Sequence, residues 1–396
     1  MVFSSRLPSS LDDNPLARAA AAHRAAGLPI FDLTLSNPTQ AGFAYPTAAI
    51  AAALGAGASA PYEPHARGLL SARAAIAAYY QGRGPHPVSP DRLHLTASTS
   101  EAYGLLFKLL GDPGAEVLTP HPSYPLIEHL ATLEGWRARP YPLVYDNARG
   151  WSIDCAALAA AITPATRALA IIHPHNPTGW LMRGGEEAHF LLELCASRGL
   201  ALIVDEVFLD YVAAASSTLA QSFAAHAVSA LTFTLGGLSK SCAMPHLKLG
   251  WIHVGGPAAD VAAAQARLDF IADAYLSVAT PVQAAAPRLL EVGAGLRAQI
   301  HARLAENYAA LAAVDWPAGF AALPHQAGWC ALLRRPSAPD EELLARQLLD
   351  RAGVLAHPGY FFDFAEPGWH VLSLLPEPAT FRSALTALCE WLPKLV

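Results

Sequence analysis

Apolar positions along this chain fall into two alternating rhythms. Short, nearly continuous runs (LHLT ending at Thr96, AEVLTP from Ala115, RALAIIHP from Arg167, ALIVDE from Ala201, LTFTLGGL from Leu231 and LGWIHVGG from Leu249) have the length and bulk of strands buried on both faces. Between them, apolar residues recur every three or four positions. That spacing predicts helices from about Thr99 to Leu110, after Tyr124-Pro125, and through GGEEAHFLLELCASRG. Upstream, the alanine-rich run from Asn14 to Ala26 and the segment ARGLLSARAAIAAYYQGRG read as helices. FDLTL between them reads as a short strand entering a turn at Asn37-Pro38. After Pro257 a long alanine-rich helix is expected to about Ala313, broken near Thr280-Pro281. Short strands around 328–334 and 371–375 and helices over 340–352 and 378–391 follow. Strands alternating with amphipathic helices predict an α/β protein: a three-layer αβα unit around a mostly parallel sheet, followed by a smaller α/β domain.

Composition narrows the function classes. Only 15% of the 396 residues are charged, against about 25% in ordinary globular proteins, and 53% are hydrophobic. This excludes a disordered tail or a protein that neutralises nucleic acid, and the net charge of -6 offers nothing to nucleic acid or an acidic membrane. No run approaches a membrane-spanning length, and Asp12 and Asp13 stand where a signal peptide would be apolar. Five scattered cysteines without a CxxC pair read as thiols in a reducing compartment, so a soluble cytoplasmic protein is expected.

In an open parallel sheet, ligands sit beyond the carboxyl ends of the strands. Four clusters fall there: Ser98-Thr99-Ser100-Glu101, Asn176 in a proline-rich turn, Asp205-Glu206, and Ser239-Lys240. No glycine-rich dinucleotide turn or phosphate loop is present. Asp205 ends an apolar strand, where a carboxylate needs a partner: a cationic ligand, a structural arginine or a turn to cap. Lys240 follows an apolar strand among small residues that admit a ligand. Ser98, Thr99 and Ser100 place three hydroxyls and free backbone N–H groups at a helix start, which suits a phosphate, whereas an N-cap needs only one hydroxyl. Glu206 is ambiguous. His173 and His175 share one strand face, but no motif supplies a third ligand, so no metal is expected.

Taken in order, Ser98-Thr99-Ser100, Tyr124 in PHPSYPL, NPTG at Asn176, Asp205, and Ser239-Lys240 followed eight residues later by the basic Lys248 resemble the aspartate aminotransferase family. These are the fold-type I enzymes that use pyridoxal 5'-phosphate (PLP). The resemblance implies that Lys240 forms the Schiff base and shuttles the proton, and that Asp205 pairs with the pyridine nitrogen. It further implies that Asn176 bonds the phenolic oxygen, that Tyr124 stacks on the ring, and that the serine-threonine trio, Ser239 and Lys248 hold the phosphate. Tyr62 would reach a partner subunit's phosphate, which implies a homodimer with shared active sites. The implied division is an N-terminal segment over 1–45 packing with the small domain, a large PLP-binding domain over 46–285 and a small domain over 286–396. The implied activity is transamination between an amino donor and a 2-oxo acid acceptor, with a carbon–sulfur lyase or another PLP enzyme as the alternative. A transcription regulator of this fold would carry a DNA-binding module ahead of it, and no basic helix pair precedes this one.

The chain also departs from the family. Phe208 stands where a tyrosine usually makes a second bond to the phenolic oxygen, which implies a higher imine pKa. Gly237 replaces a serine, and Lys248 replaces an arginine and so loses the bidentate fork. The arginine that grips a substrate carboxylate is missing, because Val371 occupies its slot and the neighbouring His370 faces the opposite side of the strand. Arg334, Arg67 and Asn37 are the alternatives for holding such a carboxylate.

Overall fold

The structure is a computed structural model that describes residues 3–8, 11–58, 60–182, 184–214, 216, 221–335 and 340–395. The first helix, α1 (Pro15–Ala25), starts at Asn14, whose side chain accepts from the Ala17 N–H at 2.7 Å. The strand β1 (Phe31–Asp32) follows, then α2 (Thr47–Gly57) and α3 (Leu70–Tyr79). The strand–helix series opens with β2 (Leu93–Thr96), α4 (Thr99–Leu110), β3 (Glu116–His121) and α5 (Leu126–Leu133). It continues through β4 (Arg137–Asp146), β5 (Gly150–Ile153), α6 (Cys155–Ala161), β6 (Thr166–Ile172) and α7 (Gly184–Arg198). It closes with β7 (Ala201–Asp205), β8 (Thr232–Gly237), the short α8 (Leu238–Ser241) and β9 (Gly250–Gly255).

These eight strands, β2 to β9, form one sheet in the order β2-β9-β8-β7-β6-β3-β4-β5. The five central strands from β4 to β8 in that order are parallel, while β9 runs antiparallel to both of its neighbours and β5 antiparallel to β4. Alternation explains the continuous apolar runs. Ala170, Ile203 and Phe233 face α4 and α5, whereas Leu169, Ile171, Leu202 and Val204 face α6 and α7, so both faces are covered.

Two long helices, α9 (Ala258–Tyr275) and α10 (Thr280–Ala312), lead to the smaller domain, and the break between them falls at Thr280-Pro281 as the sequence pattern predicts. The smaller domain contains β10 (Ala321–Ala322), β11 (Cys330–Arg334), α11 (Glu341–Ala352), β12 (Val354–Leu355), β13 (His357–Pro358), β14 (Trp369–Ser373) and α12 (Pro378–Trp391). Its antiparallel sheet has the order β10-β11-β14-β13. The N-terminal segment joins this part of the molecule: β1 pairs in parallel with β12, and the Ser373 N–H and hydroxyl donate to the carbonyls of Leu33 and Leu35. One apolar cluster then runs without interruption from α3 and α10 to β14 and α12. No helix among the described residues is long and apolar enough to cross a membrane.

Candidate active site

The ends of the parallel strands converge on a cavity of about 270 Å³. Thr99 follows β2, Tyr124 follows β3, Asn176 follows β6, Asp205 ends β7, and Ser239 and Lys240 follow β8; all six line the cavity. β3 connects outward to β4 while β6 lies on its other side, so the cavity opens where the strand order reverses, the usual ligand site of such sheets.

Asp205 is 7% exposed, and burial pushes its carboxyl up to about 6. The Tyr103 hydroxyl donates to it at 3.3 Å and the Val207 N–H at 3.1 Å, and no cation bonds it. Burial lowers the pKa of the Lys240 amine, which lies 4.6 Å from the centre of the Trp329 ring and 5.5 Å from that of Phe208, with no carboxylate in contact. The Tyr211 hydroxyl fixes the backbone beneath it by donating to the Lys240 carbonyl at 2.6 Å. A buried carboxylate lacking a cation and a buried amine lacking an anion thus share one cavity. They fit a flat ligand that carries an aldehyde at one end and a protonated ring nitrogen at the other.

The helix start beside them has divided tasks. Ser98 is the N-cap of α4, accepting from the Glu101 N–H at 3.1 Å, while Glu101 in turn accepts from the Ala97 N–H at 2.6 Å. Ser98 thus caps the helix as an acceptor, its O–H stays free to donate, and the hydroxyls of Thr99 and Ser100 lie beside it. Gly250 lets β9 close on this turn, because a Cβ there would lie 2.9 Å from the Ser98 carbonyl carbon and 3.1 Å from the Thr99 nitrogen. Lys248, two residues earlier, is exposed, has a left-handed backbone (φ 52°) and does not line the cavity. Tyr62 is also outside it and 70% exposed. Tyr124 is half exposed, and its backbone N–H donates to the Asn176 carbonyl at 3.3 Å.

Several other residues are committed elsewhere. Glu206 accepts from the Ser222 hydroxyl at 2.6 Å and the Phe223 N–H at 2.7 Å, so it anchors the 222–225 turn and does not face the cavity. His175 pairs with the Thr178 hydroxyl at 2.9 Å, and burial lowers His173 and His175 to about 4 and 3, which keeps both neutral. Arg67 makes a bidentate pair with Asp269 at 2.7 and 2.6 Å. Arg334 stacks 4.8 Å over Trp369 beside Glu366, and Asn37 caps Thr39. Val371 does line the cavity and His370 does not. Tyr103, Trp329, His357 and Phe362 also line it and were not singled out from sequence. Only Tyr103 had a signal, since it lies one helical turn beyond Thr99 and so on the same face.

Fold and cavity together define a class of enzyme-like α/β proteins, and comparison with known proteins gives the family. The model of the aminotransferase class I and II family matches residues 29–388, and the chain belongs to that family. A glutamate-pyruvate aminotransferase, AlaA, of Haemophilus influenzae is 30% identical over 257 residues, covering 65% of this chain and 62% of the relative. Nicotianamine aminotransferase 1 of Oryza sativa is 30% identical over 232 residues, covering 58% of this chain and 46% of that protein. The matches thus span about half to three fifths of the relatives' own lengths. An alanine aminotransferase from Pyrococcus furiosus has the same fold, with a TM-score of 0.85 at 22% identity over 99% of this chain and 100% of that one. The N-succinyldiaminopimelate aminotransferase from Mycobacterium tuberculosis has a TM-score of 0.78 at 26% identity, covering 98% of this chain and 100% of that one.

Proposed function

We propose that the protein is a PLP-dependent aminotransferase that moves an amino group from an amino acid or other amine to a 2-oxo acid. The observation that carries this is the presence, in one cavity, of the Lys240 amine without a carboxylate partner and the buried Asp205 carboxylate without a cation. When bound, PLP supplies an electron sink that stabilises negative charge at the substrate carbon.

The chain's own residues divide the remaining work. Lys240 Nζ would hold the cofactor aldehyde, and its lowered pKa suits it to take up and return a proton at the substrate carbon once released. Asp205 would keep a ring nitrogen protonated, the Asn176 side chain would donate to the phenolic oxygen, and Tyr124 would stack on the ring. The hydroxyls of Ser98, Thr99 and Ser100, the N–H groups of the α4 start and Ser239 would receive the phosphate, and Lys248, which lies outside the cavity lining, would add a positive charge. Phe208, Trp329 and Phe362 exclude water from the reacting carbon. A homodimer in which Tyr62 of the partner subunit completes the phosphate site belongs to the same reading.

The test is Lys240→Ala. Purified with PLP, this variant should lose both turnover and the visible absorbance of lysine-bound cofactor. A variant that kept both would end the assignment. Amino donors should convert the wild-type cofactor to pyridoxamine phosphate, whereas a lyase would release pyruvate and ammonia without it.

A further inference from the structure

The side of the cavity supplied by the small sheet has a chemistry of its own. Pairing of β11, β13 and β14 places Cys330 opposite Ser373, and Val371 between Leu332 and His357. Alternation turns Cys330, His357, Val371 and Ser373 to one side, and all four line the cavity. None carries a charge: burial pushes the Cys330 thiol up to about 12 and holds the His357 imidazole below its usual value. The Ser373 hydroxyl is already used on the Leu35 carbonyl, whereas His357 Nδ1 is buried without a hydrogen-bond partner.

Two arginines on or beside this sheet are held elsewhere. Arg334 lies two residues beyond Leu332, stacked on Trp369. Arg303 donates to the carbonyls of Ala41 and Leu375 and pairs with Glu377. Among the described residues, Lys240 and Asp205 are the charged groups that line the cavity, and Lys240 is committed to the cofactor on the reading above. A carboxylate placed against this wall would lose its water with no cation in exchange, and would share the space with Asp205.

On the aminotransferase reading given above, we infer that the amino donor presents an uncharged, largely apolar group to this wall, as a primary amine or a 2-amino alcohol does, with the neutral His357 ring as the polar group it meets there. The donor amine is oxidised to its carbonyl compound, taking oxygen from water. The acceptor 2-oxo acid, entering with its carboxylate turned away from this wall, is reduced to the amino acid and releases water, so atoms and electrons balance without a further oxidant.

The experiment uses the PLP-loaded protein and three matched sets: the L-amino acid, amino alcohol and decarboxylated amine related to alanine, leucine and phenylalanine. Loss of the lysine-bound cofactor absorbance gives kcat/KM for each. Calorimetric dissociation constants on PLP-loaded Lys240→Ala protein give binding apart from turnover. The neutral members should exceed the parent acid at least tenfold in both measurements. Val371→Arg should shift the ratio toward the acid by tenfold or more. His357→Leu should remove the advantage of the amino alcohol over the plain amine, read as the ratio of their kcat/KM values. Acids that react and bind as well as or better than their neutral counterparts in all three sets would overturn the inference. If no compound reacts, the aminotransferase reading itself fails, and the binding order still decides the chemistry of the wall.

Discussion

Asp205 offers a test of the site that needs neither substrate nor turnover. Its carboxyl ordinarily titrates near 3.8 and is pushed up to about 6 by burial. At about 1.4 kcal/mol per pH unit, the difference amounts to roughly 3 kcal/mol. The sign follows from proton counting. Between the two values the folded protein holds a proton that the unfolded chain has released, so stability falls as pH rises through this window, and the full penalty is present above about pH 6. Asp205→Asn removes the titration and keeps an oxygen to accept from the Val207 N–H. Urea unfolding of cofactor-free wild type and variant, from pH 4 to 7, isolates the effect because the other titrating groups cancel in the difference. The stability of wild type relative to variant should drop by roughly 2–3 kcal/mol across that range. On the proposed reading, adding PLP, whose ring nitrogen would give Asp205 a cationic partner, should abolish or reverse the drop. Parallel curves with a constant offset would refute the reasoning, because they would mean that Asp205 is as well solvated in the fold as in the unfolded chain.

Tyr103→Phe removes the 3.3 Å hydroxyl donor to Asp205 and should move that same pH window upward, read from the same titration, while costing about 1 kcal/mol in stability. Ile203→Ala, in the middle of β7 and fully buried beneath α4, should cost about 2–5 kcal/mol by urea unfolding without changing which residues line the cavity.

Legibility in the sequence depended on how local each signal was. The helix α4 could be read from Thr99 to Leu110 because Ser98 caps it and its apolar face repeats at helical spacing. The break between α9 and α10 was equally plain at Thr280-Pro281. β4 was not readable: RARPYPLVYD carries Pro140 and Pro142 and buries few of its side chains, and its strand character comes from pairing with β3. The antiparallel setting of β9 was hidden for the same reason, since a run buried on both faces has the same pattern in either direction. In the cavity, residues at strand ends were found because chain position alone points to them. Trp329, His357 and Phe362 arrive from far along the chain through the small sheet, and nothing near them in sequence marks the meeting. Glu206 shows the converse. It adjoins Asp205 in sequence, yet its carboxylate turns away to the Ser222 hydroxyl.

The pairing of β1 with β12 also has a bearing on how the protein is made. Phe31 and Asp32 leave the ribosome early, but their partners Val354 and Leu355 follow about 320 residues later, and Ser373, which fastens Leu33 and Leu35, later still. At about 5–20 residues per second, that is a wait of roughly 15 to 65 seconds. During this interval the eight-stranded sheet can assemble with Asp205 and Lys240 already in place, while His357, Val371 and Ser373 of the facing wall do not yet exist. Nascent chains stalled before residue 354 should therefore be able to capture PLP while lacking the surface that distinguishes one amine from another.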